Sequence, residues 1–137
     1  MSGNASRQLY RDSIQYATKD LVCVVGSFNC ESTGPAVDSA RGDGFTVSVA
    51  STGDYTITFA EKYPMLVSMV VTAEGLAAGG DDDVQFTLET YDPTTGTILV
   101  VGSKESTGTL TPTDLDDVRC NFVAYFHRST VCSVTHT

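Results

Sequence analysis

The chain has 137 residues, 41% of them hydrophobic and 18% charged, a globular composition with material for one core and too little for two full domains. Lys and Arg number 8 against 17 Asp and Glu, giving a net charge of −9, which opposes general binding to phosphate backbones and argues against nucleic acid as a partner. No apolar run approaches the ~20 residues of a membrane-spanning helix, so no membrane partner is expected.

Residues 1–20, MSGNASRQLYRDSIQYATKD, differ from the rest. They carry Arg7, Arg11 and Lys19 against Asp12 and Asp20, so a slightly basic segment precedes a strongly acidic body. They contain no continuous apolar stretch of the signal-peptide kind, which predicts synthesis and retention in a cytoplasm. Leu9, Tyr10, Ile14 and Tyr16 give this segment two readings: an ordered arm lying along a neighbouring subunit, or a frayed terminus. The chain accordingly divides into an arm, 1–20, and one β-sandwich domain, 21–137.

From residue 21 onwards Thr and Val dominate, and β-branched side chains pack well on pleated surfaces. The first strand is expected over 21–28. Phe45, Val47 and Val49 alternate with Thr46 and Ser48, as Tyr55, Ile57 and Phe59 do with Thr56 and Thr58, predicting a hairpin through the turn 50–54. Further strands are predicted over 65–73, 84–91, 97–102 and 117–127, with a short tail strand over 130–134. The segment 63–73, YPMLVSMVVTA, is apolar on both faces. It is expected either as a central strand or as one whose outer face meets another chain. Asp92 to Gly96 forms a tight turn, with Pro93 fixing φ and Gly96 free to take positive φ. The sum is an all-β chain of roughly eight antiparallel strands, a β-sandwich or jelly roll with an N-terminal arm.

The residues that carry chemistry are sparse. Cys23, Cys30, Cys120 and Cys132 lack the paired short spacings of a zinc site and are expected as free thiols in a reducing compartment. Cys120 shares the inward phase of Val118, Phe122, Ala124 and Phe126, and Cys23 is placed inward by the same reading. A Cys30–Cys132 bridge after release from the cell stays open. Only His127 and His136 offer imidazoles, and neither a nucleophile elbow nor a phosphate loop is present. Asp81 to Asp83 and Asp114 to Asp117 offer oxygens to calcium, but without a calcium-loop ligand pattern they read as solvated turns. No cofactor, metal or catalytic residue is assigned.

Four stretches carry a family resemblance: GFTVSV at 44–49; GDYTITF at 53–59 followed by Tyr63 and Pro64; VQFTL at 84–88 with Thr95 and Gly96; and NFVAYFHRS at 121–129. Together they resemble small β-structured virion proteins of tailed bacteriophages, above all capsid decoration (cement) proteins. The resemblance covers residues 44–131 and leaves the arm unmatched. It implies a homotrimer that binds the capsid exterior and bridges neighbouring major capsid protein subunits, stabilising the shell by mass action and avidity. On that reading Arg7, Leu9, Tyr10, Arg11, Ile14 and Tyr16 are the capsid-binding anchors, since aromatic residues and Arg are enriched at hot spots. Val123, Tyr125 and His127 alternate outward from Phe122 and Phe126 and form the candidate trimer interface, with ordinary packing beneath a second sheet as the competing reading. The alternative function is a phage fibre or adhesin head that binds a host glycan, against which the absence of Trp counts. A secreted C1q-like or TNF-like trimer, and then an enzyme, rank behind it.

Overall fold

A computed structural model describes residues 21–31, 34–76 and 83–128. Among the described residues nine strands run in chain order: β1 (Leu21–Glu31), β2 (Gly34–Arg41), β3 (Phe45–Ser51), β4 (Asp54–Phe59), β5 (Met65–Gly75), β6 (Val84–Leu88), β7 (Thr97–Ser106), β8 (Thr109–Pro112) and β9 (Val118–His127). They form two antiparallel sheets. One has the order β2-β1-β9-β5; the other runs β3-β4-β7-β6, with β8 paired to β7.

The expected hairpin is present as β3–β4, with Val47 opposite Ile57 and Phe45 opposite Phe59. Its buried residues Val47, Tyr55, Ile57 and Phe59 are the apolar members of the alternation, so the period-two pattern had selected the core face. The turn at 92–96 is also as expected. Gly96 donates its N–H to the Asp92 carbonyl at 2.8 Å and adopts φ +71°, a conformation that favours glycine. Strand β9 buries Val118, Cys120, Phe122, Ala124 and Phe126, again the predicted face.

The two inner faces share one core. Phe45 meets Phe122 edge-on at 4.9 Å, Phe59 meets Phe126 at 4.7 Å, and Phe28 lies 5.6 Å from Tyr55, so each of these pairs joins one sheet to the other. Such aromatic pairs favour edge-to-face or tilted geometry because a ring's negative face attracts its neighbour's positive edge. The loop before β9 closes one end of the core. Leu115 is wholly buried, its N–H reaches the Tyr55 hydroxyl at 3.2 Å, and the Asp114 carboxylate accepts the Gly53 N–H at 2.8 Å. Asp114 therefore ties two turns together, where the sequence suggested only solvated carboxylates.

Three expectations are corrected. Strand β5 is not central: it pairs with β9 alone and forms the edge of its sheet. Its two-sided apolarity is not explained by burial within this subunit, because Val67 and Val70 are exposed. Cys23 is exposed, since β1 turns Val24 and Phe28 inward and Cys23 and Val25 outward. The strand count also rises through β2 and β8, short or Pro-containing segments without clear alternation, which are held by their neighbours β1 and β7. Pro is tolerated on such edge strands because one of their edges needs no ladder bond. The predicted tail strand at 130–134, Cys132 and the whole arm lie outside the described residues.

Candidate functional site

The antiparallel registers on either side of β9 fix what stands on the outer face of the four-stranded sheet. Opposite His127 lie Leu21 and Met65; opposite Tyr125 lie Cys23 and Ser68; opposite Val123 lie Val25 and Val70; opposite Asn121 lie Ser27 and Thr72. The candidate residues Val123, Tyr125 and His127 thus form the middle column of a three-strand surface. Val25 is 55% exposed, Val70 56% and Tyr125 37%, so among the described residues no second layer covers the column. Because side chains directly opposite on adjacent strands are neighbours, Val25, Val123 and Val70 form one apolar row across three strands.

A bulge between Leu66 and Ser68 extends this surface to the sheet edge. It leaves Val67 49% exposed, the result expected when one extra residue interrupts a ladder. A shallow depression is lined by the valine row itself together with Ser27, Arg41 and Asn121. The next row towards the far end is polar. Arg119 Nε donates to the Asn29 side-chain oxygen at 3.0 Å, and Glu74 accepts bonds from both Arg119, at 3.4 Å, and Asn121 Nδ2, at 3.2 Å. The face therefore passes from apolar to charge-paired along the strands.

The thiols and tyrosines with displaced pKa values lie in the core, whereas Asp92, in the exposed turn, is lowered by the Thr94 N–H that its carboxylate accepts. Burial pushes the Cys30 thiol up to about 12, against a smaller opposing effect of its hydrogen bond with Tyr55. Cys120 is raised by burial and by neighbouring Cys30, and Tyr55 chiefly by burial. Tyr63 and Tyr91 are raised by burial too, the Tyr91 hydroxyl donating to the Tyr63 carbonyl at 2.8 Å. For each of these thiols and tyrosines folding favours the protonated form, so the folded chain holds more protons on them than the unfolded one once the unfolded groups ionise. Their stabilisation is complete below about pH 8.5 for the thiols and pH 10 for the tyrosines, the unfolded values. It is lost as pH rises from there through the higher folded values. Thermal melts are expected to hold level from pH 7 to 8.5 and then fall, with the tyrosinate absorbance of Tyr55, Tyr63 and Tyr91 appearing together with unfolding.

Arg7, Leu9, Tyr10, Arg11, Ile14 and Tyr16 lie outside the described residues, as do Asp81 and Asp82. Among the described residues, no three His, Cys, Asp or Glu side chains come together to hold a metal ion. The sequence alone indicates the outward phase of β9 and, as one of two readings, an outward apolar face on 63–73 that holds Val67 and Val70, but gives no sign of Val25. The available signal was the double-sided apolarity of residues 63–73, which needed a register to become a surface. No family model matches the chain, and no curated protein or solved structure is significantly similar to it.

Proposed function

We propose that this chain is a structural virion protein that binds the outer surface of a phage capsid as a homotrimer and bridges neighbouring major capsid protein subunits. One observation carries the reading: an acidic protein with an exposed, uncharged apolar surface across β1, β9 and β5. Contiguous exposed apolar surface marks sites of protein contact, and a structural subunit acts through such contact. The acidic remainder suits an exterior that must stay soluble and apart from packaged nucleic acid.

Strand order supports the finer architectural reading. Pairing of β1 with β9 and of β4 with β7 is what a folded-over ribbon produces, and the flanking β5 and β6 extend it as in a jelly roll that stops one hairpin early. On this reading Arg7, Leu9, Tyr10, Arg11, Ile14 and Tyr16 face the capsid.

Co-sedimentation with expanded, DNA-free capsids tests the proposal. Saturation at a fixed molar ratio is expected, and deletion of residues 1–19 is expected to abolish it. Failure of the full chain to sediment with expanded capsids overturns the capsid role, and full occupancy by the truncated chain overturns the assignment of the arm.

A further inference from the structure

We propose that the outer face of β1, β9 and β5 is where copies of this chain meet one another, with the row Val25, Val123 and Val70 at the centre of the contact. This names the partner for the surface described above and rests on reading the chain as an assembly subunit, but not on the capsid.

The argument for a second copy is electrostatic. The chain has 17 acidic residues against 8 Lys and Arg, so two copies repel wherever carboxylates meet. The four rows from Leu21, His127 and Met65 to Ser27, Asn121 and Thr72 contain no carboxylate at all. The first acid beyond them, Glu74, is held by Arg119 and Asn121. Arg41 of β2, opposite Ser27, adds an exposed cation beside these rows, so a cationic partner would be drawn to the acidic loops and not to this carboxylate-free face. A like-charged partner is excluded from the acidic surfaces and admitted here. Tyr125 and the valines supply the apolar centre, and the paired Arg119 and Glu74 supply a polar rim, the usual division of a specific interface. Val67, raised at the bulge, carries the apolar surface to the open edge of β5, so the contact is broader than one strand.

The test is molar mass by light scattering and sedimentation velocity, from about 1 to 100 μM, a range that reveals micromolar self-association. The wild-type chain is expected to be oligomeric. Val25→Asp and Val70→Asp alter different strands at positions already more than half exposed, so each is expected to fold, as judged by near-UV dichroism. Each places a carboxylate at the centre of the contact and is expected to weaken association by about 30-fold or more, the scale of a hot-spot loss. Leu110→Asp, on β8 and 49% exposed, is the control and is expected to keep the wild-type mass. A wild-type monomer across the range overturns the inference, as does wild-type mass in both folded aspartate variants. Capsid binding by a monomeric wild type removes this inference and the trimeric part of the proposed function but leaves the capsid role, whereas an oligomer that ignores capsids removes the capsid role alone.

Discussion

Replacing Phe126 with alanine is expected to destabilise the fold by about 3–5 kcal/mol, the range for truncating a buried aromatic side chain. Phe126 is wholly buried and stands where several elements converge. Its ring lies 4.5 Å from Tyr63, nearly parallel, and meets Phe59 at 4.7 Å and Tyr91 at 5.2 Å edge-on. The substitution removes apolar area and leaves a void that rings fixed on the opposite sheet and in two loops cannot collapse to fill. A domain of this size has a total stability of about 5–15 kcal/mol, so the variant should sit near the limit of folding. Its melting temperature is expected to fall by roughly 10–20 °C. A loss below about 1 kcal/mol would mean that Phe126 does not join the two sheets as described.

Gly53→Ala is expected to cost about 2–4 kcal/mol through backbone collision rather than lost burial. Gly53 has φ +76°, and a Cβ there would lie 2.7 Å from the Thr113 nitrogen and 2.8 Å from the Gly102 carbonyl oxygen. Both are main-chain atoms fixed by bonds around the same turn: Gly102 N–H to the Gly53 carbonyl at 2.8 Å, and Thr113 N–H to the Gly102 carbonyl at 3.0 Å. The methyl group has nowhere to go without separating Leu115 and Asp114 from the end of the core. Gly44 provides the control. It also has positive φ, +87°, but a Cβ there meets nothing within 4 Å, so Gly44→Ala should cost only the conformational penalty of about 1–2 kcal/mol. Denaturant midpoints of the two variants isolate the collision, and equal losses would refute it.

Much of this architecture is legible in the chain because half-buried antiparallel strands write their burial as alternation. Val47, Ile57 and Phe59 alternate with Thr and Ser in a clean period of two and their shared face is the buried one, and Phe122 and Phe126 lie inward as their phase with Val118, Cys120 and Ala124 indicates. Where alternation fails, so does the reading. Gly34 to Arg41 lacks a contrasting pattern, and its strand exists through pairing with β1. The segment around Val67 and Val70 admits two readings, a central strand or one with an outward apolar face, because apolarity on both faces resembles burial on both faces, and only sheet order separates the two. Cys23 was misplaced for a related reason: β1 reads LVCVV at its start, a run in which inward and outward residues are equally apolar. The outer surface has the same history. Val123 and Tyr125 were visible as the outward phase of β9, whereas their neighbours on β1 and β5 are far away in sequence and become neighbours only through long-range register.

The pairing of β1 with β9 also governs how this protein can be made. Ten successive registered pairs, from Leu21 with His127 to Cys30 with Val118, join segments nearly a hundred residues apart. During synthesis the first strand leaves the ribosome long before its partner exists, while the β3–β4 and β6–β7 hairpins can close as soon as they emerge. Until β9 arrives, β1 and β5 have no common neighbour and their apolar sides remain open to other nascent chains. Closing so large a loop is entropically slow, which places folding in the millisecond-to-second regime of non-local β topologies. The period of greatest exposure to misassembly is therefore the interval between translation of residue 75 and residue 127, when β1, β2 and β5 are present and β9, which unites their sheet, is not.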